Sequence, residues 1–324
     1  MNISRLIFGL FLLLIFVEIV LIAPKNLDDI SMDFGPLNSQ TEEDTNKIDQ
    51  IMKGVHLVEA SSGKKDWELW AESAQSLKVQ KTWQLFDVKA NISASDGQVF
   101  NITGDKGFVE VQSKNLKIEG NVRVRSENGY VFKSSVAFYD AQKKLIHGDQ
   151  PVELAGPKKS SDAINMQGDR FKIDVVSLNM TLLENVKGNY TTPERSKVRI
   201  LSEEAIFSSK NKDVFFNKNV VIRSNNKIVQ GPKAHFIYNK NKSKIDKLVM
   251  TGGVSIKDLD KKAVANTVEA FLDEQKFVLR GNPRVTQGED EMVGDEIIFL
   301  EGGKRVKVKK ANIKASEERL EDSN

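Results

Sequence analysis

GNVRV (Gly120–Val124) returns as GNPRV (Gly281–Val285), with looser copies at KNVVI (Lys218–Ile222) and GGVSI (Gly252–Ile256). Lys218 and Gly252 are 34 residues apart, Gly252 and Gly281 are 29 apart, and GDQPVEL (Gly148–Leu154) begins 28 residues after Gly120. Each copy reads as a strand, a polar turn, a second strand closing near FYD, IYN or IFL, and another turn. A period of this size marks a stack of β-hairpins. One hairpin is marginal alone and buries its apolar face only against the next. Gly120, Gly168, Gly252 and Gly281 are the expected bend or turn positions, where glycine admits a positive φ or a bulge. Pro283 stands where the earlier copy has valine; lacking an N–H, it belongs at a bend or an edge.

The same texture extends on both sides. NLKIEGNVRVRS (Asn115–Ser126), DVFFNKNVVIRS (Asp213–Ser224) and KFVLRGNPRVTQ (Lys276–Gln287) alternate apolar and polar residues between turn residues. That pattern predicts half-buried antiparallel strands. No long helical period with caps follows residue 50, so the fold class is mainly β. NYTTPERSK (Asn189–Lys197) is polar, unpatterned and contains a proline. It divides the β region into 51–192 and 193–315, with a polar tail at 316–324.

The first 24 residues read differently. LIFGLFLLLIFVEIVLIA (Leu6–Ala23) is 18 residues with Glu18 as its only charge. As a helix rising about 1.5 Å per residue it spans roughly 27 Å, close to the hydrocarbon thickness of a bilayer. A cleaved signal peptide wants a shorter apolar stretch and a small-x-small site, which VLIAPKN does not supply. The segment 1–24 is therefore expected to be a single transmembrane anchor, its short N-terminus in the cytoplasm and the bulk of the chain outside it. Residues 25–50 form a polar tether. Glu18 has two readings: it meets a partner helix within the membrane, or it lies near the outer interface and reaches the headgroups.

Composition narrows the function. The 324 residues are 40% hydrophobic and 29% charged, which fits a folded protein. A formal charge of +3 on this length gives no footprint of a nucleic-acid binder. The absence of cysteine excludes disulfides, thiolate metal sites and a lipidated cysteine anchor. His56, His147 and His235 are far apart, without metal-ligand spacing. The acidic runs Glu289–Glu291 and Asp258–Asp260 fall at expected turns, where turn chemistry and solvation explain them. No nucleophile elbow, phosphate loop or dinucleotide fingerprint is present. No enzyme, metal site or cofactor is expected.

DWELWAESA (Asp66–Ala74), GNVRVRSENGYVFKSSVAFYD (Gly120–Asp140), PVELAGP (Pro151–Pro157), MQGDRFKID (Met166–Asp174) and LLENVKGNY (Leu182–Tyr190) follow in the order seen in the LptC family of lipopolysaccharide export proteins. The resemblance covers roughly residues 51–190, and the N-terminal anchor suits it. From about Lys197 to Ala315 the chain resembles the OstA-like, LptA-type bridge domain instead, most closely over Phe277–Val308. An LptC-type protein ends after one such domain, whereas this chain continues. The resemblance implies an inner-membrane, single-pass protein with two tandem open β-jellyrolls in the periplasm. It would take lipopolysaccharide from an inner-membrane ABC transporter, hold the acyl chains in an apolar groove, and pass them to a bridge protein or another jellyroll by edge-strand pairing. Covering acyl surface from water is worth roughly 25 cal/mol per Å².

Alternation supplies the inward candidates: Val122, Val124, Phe132, Val136 and Phe138 in the first part, and Val220, Ile222, Phe236, Val254, Ile256, Leu279, Val285 and Phe299 in the second. A closed β core would use the same residues, so groove and core both remain open readings. The rival function is a structural envelope β-solenoid that assembles by its edges and binds no lipid. KRVKVKK (Lys304–Lys310) alternates cations with valine; it suits anionic phosphates, an acidic partner, or an edge blunted against aggregation.

Overall fold

The computed structural model describes residues 48–61, 63–77, 82–156, 165–191, 197–208, 213–239, 244–310 and 312–314. The expected anchor with Glu18, nearly all of the tether and the polar tail lie outside them. Among the described residues no helix is long and apolar enough to cross a membrane.

The strands form an antiparallel meander. β1 (Ile48–Ser61), β2 (Lys64–Leu77), β3 (Thr82–Ser93), β4 (Val99–Glu110), β5 (Leu116–Ser126) and β6 (Val131–Asp140) pair in chain order. The next rung is split into β7 (Leu145–Gly148) and β8 (Val152–Ala155), both lying on β6. The rung after it is split likewise into β9 (Asn165–Gly168), paired with β8, and β10 (Arg170–Asp174), paired with β7. β11 (Asn179–Thr191) spans both halves. β12 (Lys197–Ser208), β13 (Asp213–Ser224), β14 (Lys227–Asn239), β15 (Lys244–Asp258) and β16 (Lys261–Phe271) follow in order. Splitting recurs at the end. β17 (Lys276–Arg280) and β18 (Arg284–Gln287) lie on β16, while β19 (Asp290–Val293) lies on β18 and β20 (Glu296–Leu300) on β17. β21 (Arg305–Lys309) and β22 (Asn312–Lys314) pair with β20 and β19. At the polar stretch Asn189–Lys197 the ladder continues, with Thr191 opposite Lys197.

The repeated phrase is a corner. Gly120 and Asn121 have φ of 77° and 48°, and the β5–β6 register slips between Glu119 and Val122. The same left-handed doublet sits at Glu184–Asn185 in β11, Lys218–Asn219 in β13 and Gly252–Gly253 in β15, each at a register shift, and at Gly281–Asn282 between β17 and β18. Such a bulge bends its strand and changes the phase of its alternation. Gly120 is required twice over: its φ is positive, and a Cβ there would fall 2.5 Å from Asp105 Oδ2. Asn121 then ties the corner to the preceding rung through Nδ2 to Asp105 Oδ2 at 2.8 Å, and Asn185 repeats the tie to Asp169 Oδ2 at 2.6 Å. Pro283 follows Asn282 in the gap between two half-strands, and Pro151 occupies the like place before β8, so neither removes a ladder bond. Gly168 ends β9 beside the bend at Asp169 without a positive φ; a Cβ on it would meet Leu183 O at 3.3 Å.

The corners divide each rung into two halves, so the meander carries two facing walls. One wall carries a lane that starts at Trp83. Stepping across registered partners, it passes Leu116, Tyr139, Ile173 and Met180 to Phe207, Val214, Phe236, Phe277 and Phe299, and every step is apolar. The other wall runs from Leu57 and Leu69 through Val124, Phe132, Leu154 and Met166 to Ile200, Ile222, Ile256 and Met292, interrupted only at Gly188. Buried residues of both lanes meet in one apolar cluster that extends from Val55 to Ile297. Each fully buried Val, Leu, Ile or Phe side chain contributes roughly 1.5–3 kcal/mol, so the cluster holds the two walls together.

Candidate functional site

Near the middle of the chain the walls stand apart and enclose a cavity of about 560 Å³. Met180, Phe207, Val214, Phe216 and Phe236 line it from one wall; Tyr130, Met166, Val198 and Ile200 line it from the other. Tyr130 faces Phe207 with ring centroids 6.0 Å apart, and Phe216 packs edge-on against Phe236 at 5.3 Å. Gln98, Glu127, Asn128, Asn189 and Asp213 supply polar groups around this apolar interior. Burial, and then the neighbouring Tyr238, hold the Tyr130 hydroxyl above its ordinary pKa, so it is neutral at physiological pH. The cavity offers apolar volume with a polar margin and no assembled nucleophile or acid–base pair.

Of the sequence candidates, Val122, Val124, Phe132, Val220, Ile222, Val254 and Leu279 are buried in the apolar cluster, and Phe236, Ile256, Val285 and Phe299 are half-buried against it. Phe236 alone among them lines the cavity. Val136 is buried at the β6 bend.

Phe138 is a correction. Strict alternation puts it on the same face as Phe132 and Val136, but two adjacent residues, Val136 and Ala137, are both buried and the phase reverses there. Phe138 consequently faces outward, stacked on His147 at 5.2 Å with the Lys117 ammonium 5.7 Å from its ring centroid.

The lining residues missed include Tyr130, Met166, Met180, Val198, Ile200, Phe207, Val214 and Phe216. Phe207 and Phe216 were legible as alternating positions of two expected strands. What was not legible is that Met180, Phe207, Phe216 and Phe236 share one wall and face Tyr130, Met166 and Ile200 of the other.

The three histidines and acids of the two turn clusters have structural partners. All three histidines stack on the aromatic residue opposite them: His56 on Trp70 at 5.1 Å, His147 on Phe138, and His235 on Phe215 at 4.1 Å. Glu291 pairs with Arg284 at 2.7 Å, and Asp260 accepts from Gln287 at 2.8 Å, so acids of both turn clusters serve local contacts. Among the described residues no group of three or more His, Asp or Glu side chains is placed to hold a metal ion.

Residues 11–191, more than half the chain, match the family of lipopolysaccharide-assembly, LptC-related proteins. Residues 199–302 match the LptA/(LptD N-terminal domain) LPS transport protein family. A solved structure similar to it is LptH, described as the LptA homologous periplasmic component of the conserved lipopolysaccharide transport device from Pseudomonas aeruginosa. Identity is 14%, the match covers 37% of this chain and 94% of that one, and the TM-score is 0.34. No curated protein matches the sequence. The class is therefore a non-enzymatic lipopolysaccharide transport protein. The chain belongs to the LptC-related family and carries an LptA-like β segment after the LptC-like one.

Proposed function

We propose that this chain is an inner-membrane-anchored, periplasmic component of lipopolysaccharide transport whose two β segments, 51–192 and 193–315, act as tandem open jellyrolls with one groove. It receives lipopolysaccharide from an ABC transporter, shelters the acyl chains between the two apolar lanes, and hands them on through a sheet edge. The observation that carries this reading is the pair of apolar lanes crossing from the LptC-like into the LptA-like segment with the cavity at their junction. A protein that only stiffens an envelope has no use for a cavity there, since each void costs packing energy. Among the described residues β1 at one end, and β21 and β22 at the other, have one sheet partner each, which leaves an edge free for augmentation.

The test is site-specific photo-crosslinking in cells. A crosslinker at Phe236 is expected to yield lipopolysaccharide adducts, and one at Phe138, on the outer face, none. Protein adducts alone at Phe236 would return the structural envelope solenoid to first place.

A further inference from the structure

Opposite charges pair on both outer faces, and one of the two also carries opposed cations. Behind the lane that includes Tyr139 and Phe207, cations meet acids: Lys117 pairs with Glu119, Lys247 with Glu269 at 3.0 Å, and Arg280 with Glu269 and Glu296 at 3.0 and 2.6 Å. Behind the other lane Arg284 pairs with Glu291 at 2.7 Å and His56 with Glu68 at 2.8 Å, but like charges also stand directly opposite each other: Arg123 and Lys133, the latter with Glu153 on its far side, Arg199 and Arg223, and Lys257 and Lys262. Opposed side chains of neighbouring strands begin only about 4.5–5.5 Å apart, and like charges there are destabilising. Arg199 and Arg223 are both exposed and have no carboxylate partner among the described residues.

That arginine pair lines a recess with Lys197, Asn189, Tyr190, Val198 and Asn225, and among the described residues no carboxylate belongs to it. Asn189, Tyr190 and Val198 also line the apolar cavity. Greasy interior and cationic recess thus share these three residues as a common border. Two guanidiniums side by side, with a third cation close by, suit the tetrahedral, doubly charged oxygens of a phosphate.

We propose that Arg199 and Arg223, with Lys197, bind the phosphorylated headgroup of an amphiphile whose chains occupy the neighbouring cavity. The inference rests on the groove reading and adds the headgroup chemistry that the chain selects. Filling the recess offsets the repulsion between the two arginines, which gives this unfavourable pairing a purpose.

Calorimetry on the full-length protein tests it with dodecyl phosphate, dodecyl maltoside and inorganic phosphate. The wild type is expected to prefer dodecyl phosphate over dodecyl maltoside by about tenfold or more, since charge-assisted contacts are at stake. The preference should shrink at high salt. An R199Q/R223Q variant is expected to lose it while keeping its affinity for dodecyl maltoside, and R199K/R223K to retain part of it. An unchanged preference in R199Q/R223Q overturns the proposal. So does inorganic phosphate binding as tightly as dodecyl phosphate, which would mark an anion site uncoupled from the cavity. If neither amphiphile binds the wild type, the groove reading itself fails, and the headgroup site falls with it.

Discussion

Tyr130 and Phe207 face each other across the space between the two walls, ring centroid to ring centroid at 6.0 Å. Tyr130 lies in the LptC-like segment and Phe207 in the LptA-like one, so a single interior is built from both families. The first segment already carries both walls. The second segment's lane continues one of them, through Met180 opposite Phe207.

Stability and lipid binding should separate at Val214. It is half-buried, stands between Phe207 and Phe236 in the lane, and lines the cavity. Val214→Trp puts an indole into existing space, so the overpacking penalty is expected to stay within about 1–3 kcal/mol. Lipopolysaccharide binding should fall sharply. Phe207→Ala removes a side chain only 2% exposed and is expected to cost about 3–5 kcal/mol. Urea midpoints and lipopolysaccharide recovered with the purified protein provide the two readouts. Full occupancy in V214W would place the acyl chains elsewhere.

The corners give a prediction with an internal control. Gly120→Val meets both a positive φ and the Asp105 carboxylate, whereas Gly253→Ala meets a positive φ of 93° with nothing within 4 Å of the new Cβ. The backbone part costs roughly 1–2 kcal/mol in either variant. Gly120→Val should therefore exceed Gly253→Ala by the steric part, and Asn121→Ala should cost about 1 kcal/mol for the lost hydrogen bond to Asp105. Chemical denaturation of the three variants checks the order. Equal losses at Gly120 and Gly253 would mean the corner yields at no cost.

Strand identity was legible because alternation and turn residues are local signals. GNVRV and its copies also pointed to a bend, because glycine and asparagine tolerate the left-handed region. The corner at Glu184–Asn185 was harder to see, since glutamate gives no such signal. Face assignment failed at Phe138 for a related reason. Alternation predicts a face only while its phase holds, and the adjacent buried pair Val136–Ala137 reverses it. The opposed arginines were invisible for a related cause, since register is not a local signal. A formal charge of +3 sums over both faces, and only registered pairing reveals that Arg199 stands opposite Arg223.

The outward Phe138 has a consequence for pH. Its ring covers His147, and burial holds that imidazole below its ordinary pKa of 6.5, although Asp140 and Asp149 pull upward; Lys143 and Lys172 add to the depression. An unfolded chain then binds a proton at this site more readily than the folded one just below pH 6.5. Stability falls as pH drops through that interval and is insensitive to this group above it. His147→Gln keeps a polar side chain on the strand and removes the titration. Denaturant midpoints of the two proteins between pH 8 and pH 5 are expected to run parallel above about pH 7 and to converge or cross below it. Phe138→Ala uncovers the imidazole, so its pKa should move back toward 6.5 in an NMR titration. A wild-type profile as flat as that of H147Q would show that the stacked ring does not desolvate the histidine.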